Sequence, residues 1–311
     1  MLDDITQLPG VGEQTAEKLK ELGYDSIDVI STANADDMME ALGMSSDKVN
    51  KMIDAARNMF NVSFETAGEL LERRKEILKL TTGSKKLDEL LTGGMESKSI
   101  TESYGAYGSG KSQLSMELAV TAQLPVDKGG MACKVVVIDS EGSFRPERVK
   151  QIAEAMGLDP EETLGNIAVA RAYTSDEQMM IAEKVYNMAK EGNIKLVVVD
   201  SLTALFRSEY TGRGMLAERQ QKLNRHLATL HKIADDFNAV VYVTNQVHSR
   251  PDMFFGDPTA PVGGHILGHA ATFRLYLRKS KGGKRIARLV DAPHLPDGEA
   301  VFMVSEKGVH D

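Results

Sequence analysis

A chain of 311 residues that is 42% hydrophobic and 26% charged is too long for one small domain and too ordinary in balance for a disordered or fibrous protein. Its 45 acidic residues outnumber 37 basic ones, and the formal net charge of −8 excludes a protein that coats nucleic acid with its whole surface, so any such contact must be local. The single Cys133 excludes an internal disulfide. The absence of both a run of roughly 20 apolar residues and the basic and apolar regions of a signal peptide predicts an intracellular, cytoplasmic protein with no membrane partner.

Residues 1–60 carry apolar residues at helical spacing, broken by short turns and without a β-rich run, which predicts an all-α domain of four or five helices. Its opening, "LPGVGEQTAEKL", resembles a helix-hairpin-helix element. There Gly10 and Gly12 turn the chain so that backbone N–H groups face a DNA phosphate, which positions a duplex without reading its sequence. A purely structural hairpin is the alternative. Residues 61–80 read as a polar, charged linker with some helix. From 81 to 311 strand-like apolar runs alternate with amphipathic helices, the pattern of a parallel α/β sheet. The buried strands are "KVVVID", "IAVARAY", "KLVVVD" and "AVVYVTNQ". The later runs "TFRLYLRK", "RIARLVDAP" and "EAVFMVSEKG" predict antiparallel strands closing one edge.

"GAYGSGKS", residues 105–112, has glycines four residues apart from a Gly-Lys-Ser, follows a strand expected at 99–104 and opens a helix, which is the context of a phosphate-binding loop. Its glycines let N–H groups turn inward around an anion and the helix N-terminus adds partial positive charge. Lys111 reaches the β- and γ-phosphates of such a ligand and the Ser112 hydroxyl binds Mg²⁺. Such a loop needs a carboxylate at the end of another strand. Two strands supply one: Asp200 ends "KLVVVD" and Asp139-Ser140-Glu141 follows "KVVVI", although an Asp after a strand also serves as a helix N-cap. Asp200 is assigned to Mg²⁺, Glu141 to polarising the attacking water, and Gln246, ending its strand, to sensing the γ-phosphate.

Two long connections leave the carboxyl edge of the sheet, where α/β proteins bind ligands. One, after Asp200, carries Arg207, Arg213 and Arg219; the other, after Gln246, carries Arg250 and the Phe254-Phe255 pair among prolines and glycines. Arginines beside aromatic rings are the chemistry of single-strand binding, and a solvated lid over the nucleotide is the other reading.

"GSGKSQ", "DSEGSFRPERV", "VVDSLTALFRSEYTGRGMLAERQQKLNRHL", "VTNQV", "GGHILGHAAT" and "RIARLVDAPHLPDGEAVF" occur in one order along the chain. In them, and over nearly all its length, the sequence resembles the archaeal RadA branch of the RecA-type recombinases. The resemblance implies a RecA-like P-loop ATPase core with a mostly parallel central sheet and antiparallel C-terminal edge strands, plus a small all-α helix-hairpin-helix domain. It implies ATP and Mg²⁺ as ligands, with Gly105, Ala106, Tyr107, Gly108, Ser109, Gly110, Lys111, Ser112 and Gln113 around the nucleotide. It also places Arg148 over the adenine and Lys111, Glu141 and Gln246 at the reaction. His269 and Asp291 match residues approaching a neighbouring subunit's ATP, with K⁺ or Ca²⁺ as a candidate ion near Asp291. Arg213 and Arg219 match first-loop DNA contacts, and residues 247–262 match the second loop. Phe64-Glu65-Thr66-Ala67 matches a Phe-x-x-Ala polymerisation motif, in which Phe64 and Ala67 dock on the next subunit. The implied activity is DNA-stimulated ATP hydrolysis driving homologous pairing and strand exchange in repair. It would act on single- and double-stranded DNA in the nucleoid, in filaments or rings, with recombination mediator proteins as candidate partners. A non-recombining regulatory paralogue and a hexameric helicase are the alternatives. The chain departs from the family pattern at Ser63, Ala106 and Ser112, none of which removes a needed group.

Overall fold

The computed structural model of the protein describes residues 4–59, 65–249 and 259–311. It divides into two units, residues 1–74 and 75–311. In the first, α1 (Glu13–Glu21), α2 (Ile27–Ser31), α3 (Ala35–Leu42) and α4 (Ser46–Met59) follow the apolar spacing of the sequence. On α4 the buried residues are Val49, Met52, Ile53 and Ala56, a stripe at i, i+3, i+4 and i+7. That stripe closes a core with Leu19, Ile27, Ile30 and Met38. Asn34 starts α3 by accepting from the Asp36 N–H at 2.9 Å, and Gly43 ends it with a left-handed φ of +66°. A capping box formed by Thr66 and Glu69 starts α5 (Ala67–Arg73), which buries none of its residues.

In the second unit the chain runs through β1 (Lys79–Leu80), α6 (Lys85–Leu90), β2 (Met95–Glu96), β3 (Ser99–Tyr104) and α7 (Lys111–Thr121). It continues through β4 (Lys134–Asp139), α8 (Pro146–Ala155), α9 (Pro160–Gly165), β5 (Ile167–Arg171), α10 (Ser175–Glu191) and β6 (Ile194–Asp200). Next come α11 (Ala204–Glu209), α12 (Leu216–Asp236), β7 (Val240–Asn245), β8 (Val247–Ser249), β9 (Thr259–Pro261) and α13 (Gly264–Ala270). The chain ends in β10 (Phe273–Lys279), β11 (Lys284–Asp291), β12 (Gly298–Ser305) and β13 (Gly308–His310). A nine-stranded sheet has the order β13-β12-β11-β10-β3-β7-β6-β4-β5. The strands from β10 to β5 run parallel, and β11, β12 and β13 alternate in direction at one edge. The expected parallel core and antiparallel edge are both present. Strand β13 was not expected; it forms because a turn at Glu306-Lys307 folds the terminus back onto β12.

The central strands are continuous apolar runs because both faces of the sheet are covered. Val135, Val137 and Val198 face one core with Leu114, Leu118 and Ile152 of α7 and α8. Val136, Val197 and Val199 face the other with Leu223, Leu227 and Leu230 of α12. Among the described residues no helix is long and apolar enough to cross a membrane. Because β3, β4, β6 and β7 are parallel neighbours, the segments that follow them emerge at one edge.

One buried carboxyl gives this unit a pH dependence. Glu117 of α7 accepts the Val309 N–H at 2.9 Å through one oxygen, and the other oxygen has no partner. Burial pushes this carboxyl up from 4.5 to about 7, while the Val309 N–H and the Arg148 charge pull it down. With the folded value above the unfolded one, its contribution to stability is fully present below about pH 4.5 and is lost as the pH rises to about 7. Glu117→Gln keeps the shape and removes the titration. Its stability relative to the wild type is expected to grow across that window by on the order of 3 kcal/mol, read from urea denaturation at each pH. A difference that does not change with pH would contradict this.

Candidate nucleotide-binding site

The loop after β3 is shaped by two constraints. A Cβ on Gly105 would lie 2.1 Å from the Leu277 carbonyl oxygen of β10, so only glycine fits between the strands. Gly110 caps α7 with a φ of +109°, a left-handed conformation that a side chain would strain. Between them Tyr107 is fully exposed and Ser109 is buried. Lys111 at the start of α7 folds back over the loop, its Nζ donating to the carbonyls of Gly105 at 2.8 Å and Ala106 at 3.2 Å. Burial lowers its ammonium below the ordinary lysine value, and the charges of Asp200 and Glu141 act in the opposite direction. The cation is thus partly desolvated and aimed at a site that two carboxylates also face.

The two strand-end aspartates have different work. Asp139 accepts four backbone N–H groups, from Glu141, Gly142, Ser143 and Phe144, at 2.7–3.2 Å, and Arg171 Nη1 lies 3.3 Å from it. Its carboxylate therefore moulds the 140–144 turn. Asp200, in register with Asp139 across the β4–β6 pair, accepts from Ser143 Oγ at 2.8 Å and from Thr244 Oγ1. The Asp200–Ser201 peptide bond is cis. The turn that Asp139 shapes carries Glu141, whose Oε1 accepts from Gln246 Nε2 at 2.7 Å. Two residues 105 positions apart in sequence are thereby joined across the site.

A cleft of about 650 Å³ gathers these groups. Gly105 to Gly108, Gly110 to Gln113, Glu141, Asp200 and Gln246 line it, so the residues expected for the phosphate loop, the carboxylates and the strand-end glutamine converge. Ser109 lies beneath, buried. The cleft suits a nucleoside triphosphate by its size and by its charge. Ser112 and Asp200 offer a hydroxyl and a carboxylate. Among the described residues no cluster of three or more His, Cys, Asp or Glu is arranged to hold a metal. That donor set fits Mg²⁺, which takes one or two protein oxygens and fills its shell from phosphate and water.

Three wall residues, Ser143, Arg145 and Arg285, are missing from the sequence reading. Ser143 and Arg145 follow Glu141 within the same quoted segment and could have been found there. Arg285 opens the quoted segment "RIARLVDAPHLPDGEAVF", but nothing in its local pattern points it to the phosphate loop. It reaches the cleft because β11 lies beside β10, and its side chain lies 3.6 Å from where a Gly110 Cβ would stand.

Other expected residues lie elsewhere. Arg148 of α8 is not in the cleft wall; its guanidinium donates to Gln113 Oε1 at 2.8 Å, to the Glu306 carbonyl at 2.9 Å and to the Ser305 carbonyl. His269 on α13 and Asp291 at the end of β11 are exposed and outside the wall as well, Asp291 in register with Arg274. Arg207 on α11 is exposed and Arg219 on α12 is half-buried; Arg213 begins a short 3₁₀ turn. Phe64 and Arg250 lie outside the described residues, and Ala67 is the exposed first residue of α5. In the first unit Gly10 has a φ of +80° and Gly12 caps α1, both with open space where a Cβ would stand.

The helical segment matches a SAM-like helix-hairpin-helix tandem over residues 2–58. The chain is 53% identical over 310 residues to the DNA repair and recombination protein RadA of Aeropyrum pernix, covering all of this chain and 97% of that protein. It is 52% identical to the protein of the same name from Methanococcus maripaludis, strains C5 and C7, with both chains covered in full. The Rad51 family model matches residues 73–311, the stretch that holds the sheet and the cleft, and on that match and these identities the chain belongs to the Rad51 family.

Proposed function

We propose that the protein is an ATP-dependent homologous recombinase of DNA repair that assembles on single-stranded DNA and exchanges strands with a homologous duplex. One observation carries this reading: the phosphate loop, Asp200, and the Glu141–Gln246 pair meet in one cleft, and Gln246 stands immediately before the second long connection. ATP is the substrate. Lys111 neutralises charge on its terminal phosphates, and Ser112 and Asp200 would hold Mg²⁺. When bound, Mg²⁺ would draw off charge from the phosphate oxygens. Glu141 takes the proton of the attacking water, held in place by the turn that Asp139 moulds and by the Gln246 amide. Arg148, fixed by Gln113 and two carbonyls, is assigned to the adenine. His269 and Asp291 are assigned to the neighbouring subunit's nucleotide, with K⁺ or Ca²⁺ at Asp291.

Arg207, Arg213, Arg219 and Arg250 contact DNA in this reading, and Gly10 and Gly12 touch the duplex backbone. A filament joined through Phe64 and Ala67 repeats these few contacts along the strand, so avidity supplies affinity despite the acidic surface. The protein acts in the cytoplasm on nucleoid DNA.

The test is ATP hydrolysis with and without single-stranded DNA, run beside strand exchange on homologous and non-homologous duplexes. Stimulation by DNA and exchange of the homologous duplex alone are expected. DNA binding without exchange under any nucleotide condition would replace this reading with that of a regulatory paralogue.

A further inference from the structure

The end of β7 sends three consecutive side chains to opposite sides of the sheet, each with polar partners of its own. Alternation along the strand sends Thr244 and Gln246 to the nucleotide side, where Thr244 donates to Asp200 and Gln246 to Glu141. Asn245 points the other way and is fully buried. Its Nδ2 donates to the Val262 carbonyl at 2.6 Å and to Glu102 Oε1 at 2.7 Å, and its Oδ1 accepts from the Thr203 hydroxyl at 2.7 Å. Only this orientation of the amide satisfies all three, because a carbonyl and a carboxylate can only accept. Arg274 Nε donates to the second oxygen of the buried Glu102 at 2.7 Å, so the carboxylate against Asn245 is neutralised.

The two partners on the far side are the roots of the two basic connections. Thr203 stands immediately before α11, which bears Arg207. A threonine in that place ordinarily caps the helix, yet its hydroxyl makes no cap and goes to Asn245. Val262 ends the connection that follows Gln246, and its own N–H donates to the Gln246 carbonyl at 3.0 Å. The roots also lie close together: a Cβ added to Gly263 would stand 3.5 Å from Thr203 Cγ2. A buried amide with every one of these bonds in use cannot follow one partner without straining the others.

We infer that Asn245 is a positioning residue that joins the roots of the two basic connections to each other and to the nucleotide-facing end of β7, so that both connections respond together to the occupant of the cleft. The inference rests on the recombinase reading, in which those connections bind DNA. A residue that served the fold alone would weaken stability without changing how nucleotide and DNA affinities depend on each other.

The experiment uses the full chain as Thr203→Val, Thr203→Ser and Asn245→Ala, with and without Gln246→Ala. Affinity for a fluorescent ATP analogue is measured, and then affinity for a single-stranded oligonucleotide with and without a non-hydrolysable ATP analogue. Thr203→Val and Asn245→Ala are expected to keep nucleotide affinity while the gain in DNA affinity caused by nucleotide shrinks by at least about fivefold. Thr203→Ser, which restores the hydroxyl, keeps the gain. Asn245→Ala adds no further loss to Gln246→Ala, because both act on one route. An unchanged gain in Thr203→Val, or losses that add in the double variant, would overturn the inference and leave the recombinase reading standing. No gain in the wild type would remove both. If Asn245→Ala fails to fold, the Thr203→Val and Thr203→Ser pair decides alone.

Discussion

Lys111→Ala is expected to lower ATP turnover by at least about a hundredfold and to weaken nucleotide binding by about 30-fold, the loss of a charged hydrogen-bond donor. The side chain leaves solvent to lie over the loop, where burial lowers its pKa and the carboxylates of Asp200 and Glu141 restore part of the preference for the ammonium. In the structure its protons go to the Gly105 and Ala106 carbonyls, acceptors at the cleft wall from which it can swing to phosphate. Alanine removes the cation from a place where the developing negative charge has two carboxylates nearby and little water to screen it. Phosphate release and calorimetric nucleotide titration measure the two effects. Turnover equal to the wild type would show that Lys111 serves the loop's shape and not the reaction.

Glu141→Gln tests a different step and should separate binding from chemistry. The turn geometry comes from Asp139, which holds the N–H groups of residues 141–144, and the glutamine keeps an oxygen to accept from Gln246. Shape and contacts therefore survive while the group able to take a proton from water is lost. Nucleotide affinity should stay near that of the wild type, and turnover should fall by about 10² to 10⁴. DNA affinity in ATP should persist, because the nucleotide stays longer. If turnover falls only as far as nucleotide affinity does, Glu141 is a binding residue and the base lies elsewhere.

Much of the site was legible in the sequence because each part is local. The phosphate loop needs a strand, a glycine-bearing turn and a helix in succession, and residues 99–121 supply them in that order. Asp200 and Gln246, which line the cleft, stand out in the sequence because an apolar run stops at a polar residue where a parallel strand leaves the sheet. The apolar spacing of residues 13–59 likewise yielded helices whose buried positions coincide with the core.

Other features belong to the tertiary structure. Asp139 and Asp200 end strands of nearly identical pattern, and the work of Asp139 was not legible: its carboxylate is occupied by four backbone N–H groups, while that of Asp200 faces the cleft. Arg285 enters the wall because β11 lies beside β10, whereas Arg148 on α8 is held by Gln113 and the Ser305 and Glu306 carbonyls. Glu102 pairs with Arg274, 172 residues away, and Asn245 meets Thr203 across 42. The sequence by itself determined the kinds of element, the order in which they come and the residues able to bind phosphate, since periodicity and turn chemistry act over a few neighbours. The pairing of strands and the partners of buried polar groups were decided only by the packed sheet. There, desolvation makes each buried donor and acceptor find whichever partner the register brings within reach.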